Sequence, residues 1–148
     1  MGNYRLLGLV CILWLFSNGV NAETSGAVAP GIVTGKAVQE VRTAPSGKAS
    51  IRILNRGEKA FMGILTLDAG AKVPLHRDES EEHIWVMEGG GMLFLGGKKY
   101  PLRAGDSVLM PAGLEVRFEN GSSRLVVLQV FSGPKSAQKY DSWVERRE

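Results

Sequence analysis

The chain has 148 residues, with 18 Lys and Arg against 15 Asp and Glu, a formal net charge of +3, and a single cysteine. This near balance, without a dense basic run, excludes a nucleic-acid surface built on charge. The lone cysteine excludes a disulfide framework and a multi-thiolate metal site.

The first element is a leader. Arg5 is its only basic residue, and an apolar run of eleven follows from Leu6 to Phe16, well short of the ~20 residues that cross a bilayer. A polar segment then ends in Val20-Asn21-Ala22, the small-residue pattern of signal-peptide cleavage. Residues 1–22 are therefore expected to be a signal peptide. The mature chain is expected to start at Glu23, to be secreted or periplasmic, and to have no membrane contact after cleavage. Cys11 follows Val10, which argues against lipidation, so the mature chain has no cysteine. Loss of Arg5 lowers the net charge to +2. Roughly 126 residues remain, enough for one domain with one core.

Residues 23–48 are rich in Gly, Ala, Pro, Ser and Thr and read as a flexible segment, with "AVQEVR" as a candidate edge strand. Over 49–132 the pattern becomes short alternating runs: "ASIRIL", "KAFMGILTL", "KVPLH", "EHIWVM", "GMLFL", "KKYPL", "SVLMP", "EVRFE" and "RLVVLQVF". Strands of this length and spacing predict an all-β sandwich or barrel. Gly57, Gly70, Gly97, Gly105 and Gly121 stand at the breaks and are expected to supply positive φ, and Gly113 is expected to do the same. Gly89-Gly90-Gly91 joins two strands without a following helix, so it reads as a barrel turn rather than a phosphate cradle. Met62, Leu65, Leu67, Met92, Phe94, Leu109, Met110, Phe118, Val126, Leu128 and Val130 are expected to fill the interior or the face between sheets. Residues 133–148 form a tail packing on the barrel, in which "KSAQKYDSW" is either a short helix or an irregular segment.

The chemistry-bearing residues gather in "HRDESEEHIWVMEGGG". Side chains alternate along a strand, so His76 and Asp78 share a face. If Ile84 and Val86 fill the barrel, Glu82 points inward with them, while His83, Trp85 and Met87 point out. Glu79, Ser80 and Glu81 read as a solvated rim. An outward tryptophan needs cover, so Trp85 is expected under another segment or in a homodimer interface.

The stretch Gly70–Gly89 resembles the first motif of the cupin family, with Gly70, His76, Glu82 and Gly89 in register and Asp78 in place of a second histidine. The stretch Gly105–Asn120 is similar to the second motif, with Gly105, Pro111, Gly113 and Asn120 matching and Val116 where a histidine would stand. The resemblance implies a single-domain double-stranded β-helix, or jelly-roll, whose motif residues meet in one mouth. Many relatives bind a divalent metal there through three histidines and a glutamate.

This chain offers at most His76, Asp78 and Glu82 as metal ligands, a set that suits Mn, Fe or Zn better than Cu. Two function classes follow. One is a binding module that holds a small molecule or sugar at the mouth, with His76, Asp78, Glu82 and Val116 lining the pocket. The other is a divalent-metal-dependent cupin enzyme of dioxygenase, isomerase, lyase or decarboxylase type. With two histidines of the motif replaced, the sequence favours the binding module.

Overall fold

A computed structural model describes residues 31–36 and 39–146. The expected signal peptide, residues 1–22, lies outside the described residues. Two compact units are distinguished, 1–32 and 33–148, and every element named below belongs to the second. Its strands are β1 (Val41–Thr43), β2 (Ala49–Arg56), β3 (Ala60–Leu67), β4 (Lys72–Arg77), β5 (Glu81–Glu88), β6 (Gly90–Leu95), β7 (Lys98–Arg103), β8 (Ser107–Met110), β9 (Glu115–Asn120), β10 (Leu125–Ser132) and β11 (Val144–Arg146). They form a seven-stranded sheet, β11-β1-β2-β3-β10-β5-β8, facing a four-stranded sheet, β4-β9-β6-β7. All the pairings are antiparallel, giving the expected jelly-roll architecture.

The nine strand segments legible in the sequence all form. Period-two alternation explains why: in β5 Glu82 and Val86 are buried while His83, Trp85 and Met87 are exposed, and β9 alternates residue by residue. β1 is not an edge strand. It pairs with β2 on one side and β11 on the other, because the tail after the barrel returns as a strand. Between β10 and β11 the chain forms a 3-10 helix, Lys135–Ser142, with Ser136, Ala137 and Tyr140 buried.

The interior has two apolar clusters. One gathers Leu67, Val86, Leu93, Phe118, Leu125 and Val127 between the sheets. The other gathers Ile51, Ile53, Phe61, Phe131, Ala137 and Tyr140 beneath the 3-10 helix. Complete burial of Phe61, Phe131, Ile51 and Val86 stabilises the fold by about 1.5–3 kcal/mol each. The expected interior needs correction. Leu65, Leu67, Met110 and Phe118 do point inward and Val126 is buried, but Leu128 lies opposite the half-exposed Trp85, and Met62 and Val130 share its outward side. Leu109 also faces out, 53% exposed. Both faces of β10 are apolar, so hydrophobicity alone could not fix its orientation.

Positive φ occurs only at glycines among the described residues, including Gly70, Gly97, Gly105 and Gly113 but not Gly57 or Gly121. Gly121 instead lies close to another strand: a Cβ there would sit 3.1 Å from the Gly90 carbonyl oxygen. Gly89, Gly90 and Gly91 form the tight corner between β5 and β6, where any side chain would strike the backbone of Arg124, Leu102 or Glu119.

Candidate functional site

The two motif loops are stitched together by backbone. The Gly113 N–H donates to the Asp78 carbonyl at 2.7 Å, and the Arg77 guanidinium donates to the Gly113 carbonyl at 2.9 Å. Asn120 plays a structural part: its Nδ2 donates to the carbonyls of Leu67, Asp68 and Ser123, and its Oδ1 accepts the Gly121 N–H. It thereby locks the β3–β4 turn to the β9–β10 turn, satisfying buried backbone that would otherwise be costly.

His76 pairs across the sheet with Val116, and both line a cavity of about 580 Å³ between the sheets, together with Asp78 and Glu82. Leu65, Leu67, Val86, Leu93, Phe118 and Val127 supply much of its apolar wall. The polar groups gather at one end. His76 Nδ1 donates to the Pro74 carbonyl at 2.8 Å, which turns Nε2 toward Asp78 Oδ2, 3.4 Å away. Lys139, carried by the 3-10 helix, donates to both oxygens of Asp78 at 3.1 and 2.9 Å. Glu82 Oε1 accepts from Gln129 Nε2, and the Tyr140 hydroxyl donates to Gln129 Oε1 at 2.6 Å.

These partners set the charges. The hydrogen bond to Asp78 raises the pKa of His76 against the opposing effect of burial. Burial pushes Asp78 up, but His76 and Lys139 together hold its carboxyl below the usual range. Glu82 is 4% exposed, and burial raises its pKa over the contrary pull of Gln129 and Lys139. Burial also raises Tyr140, assisted by the nearby Glu82 charge. The mouth thus favours a cationic His76, a carboxylate at Asp78 clasped by an ammonium, and a reluctant Glu82.

His83 lies outside this group, bonded to Glu81 at 2.9 Å on the surface. Trp143 packs edge-on against Tyr140, with ring centroids 4.9 Å apart, and Trp85 stays 50% exposed. Gln129, Lys139 and Tyr140 were missed in the sequence. Gln129 did carry a signal, as the one polar residue among the alternating Leu125, Val127 and Phe131. Lys139 and Tyr140 carried none, because a motif reading ends before the tail.

The metal ligand set implied by the resemblance does not fit this arrangement. Asp78 gives both oxygens to Lys139, Glu82 gives one to Gln129, and Val116 offers no donor. Among the described residues no group of three His, Cys, Asp or Glu is placed to hold a metal ion. A second cation beside the Lys139 ammonium would also meet direct repulsion.

Comparison with known proteins agrees with the fold. Residues 63–131 match the family model described as a cupin domain. A polyketide synthase, CurC of Streptomyces cyaneus, is 34% identical over 61 residues, a match spanning 40% of each chain. An RmlC-like cupin from Shewanella frigidimarina superposes with a TM-score of 0.65 at 17% identity, covering 74% of this chain and 96% of the other. A protein described as a predicted oxalate decarboxylase from Thermotoga maritima gives 0.59 at 24% identity, covering 70% and 99%. The polyketide cyclase RemF of Streptomyces resistomycificus gives 0.59 at 18% identity, covering 69% and 79%. Motif register, sheet order and these likenesses converge: residues 63–131 match the cupin domain, and the described strands have the fold of the cupin structures they superpose on.

Proposed function

We propose that this protein binds a small, largely apolar molecule inside the barrel, with an oxygen-bearing head group at the end formed by His76, Asp78, Glu82 and Lys139. The observation that carries this reading is the 580 Å³ cavity whose walls are apolar and whose polar groups converge at one end. That is the composition of a ligand pocket, with the wall providing affinity and the polar end orientation. A sugar would leave its hydroxyls unpaired against Leu65, Leu93 and Phe118. The names of CurC and RemF, both associated with polyketides, support an apolar ring-bearing ligand. The metal-dependent enzyme reading relies on the same three side chains and is disfavoured by the commitment of Asp78 to Lys139. The leader-like pattern of residues 1–22 supports a secreted or periplasmic location for this activity.

Native mass spectrometry of untagged protein should reveal an organic adduct, and an apolar fluorophore should bind with saturation. Val116→Phe, which puts a ring into the cavity, should abolish both while the far-ultraviolet spectrum stays wild-type. A folded wild type that carries no adduct and binds no fluorophore would rule the reading out.

The outer face of β5 and β8 carries Trp85, Met87 and Leu109, exposed by 50%, 40% and 53%. Because β8 is the sheet edge, this apolar patch is open to a second copy of the chain, and a homodimer is proposed there. Trp85→Ser with Leu109→Ser should shift sedimentation toward monomer; a wild type already monomeric at high concentration would refute it.

A further inference from the structure

We propose that the ammonium of Lys139 occupies the cation position of this mouth, so that a charge tethered to the 3-10 helix stands where a divalent ion would otherwise bind. In this role Lys139 faces the head group of the ligand; that last clause rests on the apolar-cavity reading, whereas the cation position does not.

Asp78 takes the place of a ligand histidine in the motif register, and Lys139 closes on it from outside the motif, 2.9 and 3.1 Å from its two oxygens. Bidentate capture of a carboxylate is what a bound cation does, and here the cation is part of the chain.

The ammonium is delivered by construction. The Lys139 ammonium lies over the Phe131 ring, with Nζ 4.8 Å from the centroid. The next residue, Tyr140, is fixed by its hydroxyl on Gln129. Ser136 accepts the Ser80 N–H at 3.0 Å, fastening the same helix to the loop that carries Asp78. An ammonium has three hydrogens. Two serve Asp78, and Lys139 also lines the cavity, which leaves its remaining hydrogen-bonding capacity for an oxygen there.

The test uses the untagged mature chain and its Lys139→Met, Lys139→Gln and Lys139→Arg variants, titrated with Mn²⁺ and with Zn²⁺ by calorimetry. Wild type and Lys139→Arg should show no saturable binding into the millimolar range. Lys139→Met, which keeps the apolar stem, should gain a site at least about tenfold tighter than any residual wild-type binding, because a like charge has been removed from contact distance. Adding Asp78→Asn should remove that gain. Lys139→Gln repeats the experiment with a polar end, and circular dichroism checks that each variant folds. Stoichiometric metal in the wild type would overturn the proposal, as would equal metal binding by wild type and both neutral variants. Fluorophore binding is read separately. Its absence from a wild type whose neutral variants gain metal would remove the ligand reading and leave the cation position standing.

Discussion

The two apolar clusters are built from similar residues and do opposite things. The one under the 3-10 helix is solid: Ile51, Phe61, Phe131 and Ala137 are fully buried, and the Phe61 ring stacks within 6.0 Å of Phe131 and 5.8 Å of Tyr140. The one between the sheets is hollow, its side chains surrounding the cavity. The difference teaches how the molecule divides its labour. The solid cluster anchors a tail segment firmly enough to aim Lys139 and Tyr140 across the mouth of the hollow one. Arg42, donating to the carbonyls of Tyr140 at 3.3 Å and Asp141 at 2.8 Å, secures the far end of that segment.

The largest effect should come from breaking the solid side. Phe131→Ala should cost about 3–5 kcal/mol, whereas Leu93→Ala, which borders space already empty, should fall near 2 kcal/mol, the low end for a buried leucine. Urea denaturation of both variants checks this, and equal losses would mean the hollow cluster is as tightly packed as the solid one.

A smaller effect should follow from cutting the link between the clusters. Tyr140→Phe preserves the ring stacking but leaves Gln129 Oε1 buried without its donor, at a cost of about 1–3 kcal/mol. Amide exchange over residues 135–142 should speed up in this variant while β2 and β3 remain protected.

The smallest effect concerns the charges at the hollow end. The pKa of His76 is raised above its ordinary 6.5, so its contribution is fully present below that value and is lost as pH rises through the folded value. Asp78 is lowered from 3.8, so its contribution is present above that value and is lost as pH falls through the folded one. The stability difference between wild type and His76→Gln should therefore be greatest between those two ordinary values and shrink above neutrality. It should stay below about 1 kcal/mol, since the pair is partly solvated. Glu82 should act in the opposite sense to Asp78: with its pKa raised, its ionisation costs stability as pH climbs past the ordinary 4.5, so Glu82→Gln should gain relative to wild type above that pH. Urea midpoints measured across pH for the three proteins separate these contributions.

The sequence carried the strands because each has a clear period and a turn residue behind it, as with Gly70 before β4 and Gly105 before β8. It also carried the inward turn of Glu82, which follows once Ile84 and Val86 face the barrel. It could not orient β10, where Val126, Leu128 and Val130 are as apolar as Leu125 and Val127. Nor could it foresee the partner of Asp78. That contact joins residues 61 positions apart, and no local pattern in "KSAQKYDSW" marks which of its side chains will reach the barrel.

The pairing of β1 with β11 bears on how the molecule assembles. Val41 lies opposite Arg146, so an outermost ladder of the sheet joins the first and last strands among the described residues. β1 must wait, with one side unpaired, until residues 144–146 have been made and arranged. Such distant pairing slows folding, and a waiting strand edge invites association with another chain. Polar and charged residues at Arg42, Thr43 and Glu145 on this late-forming ladder are suited to keep that interval soluble.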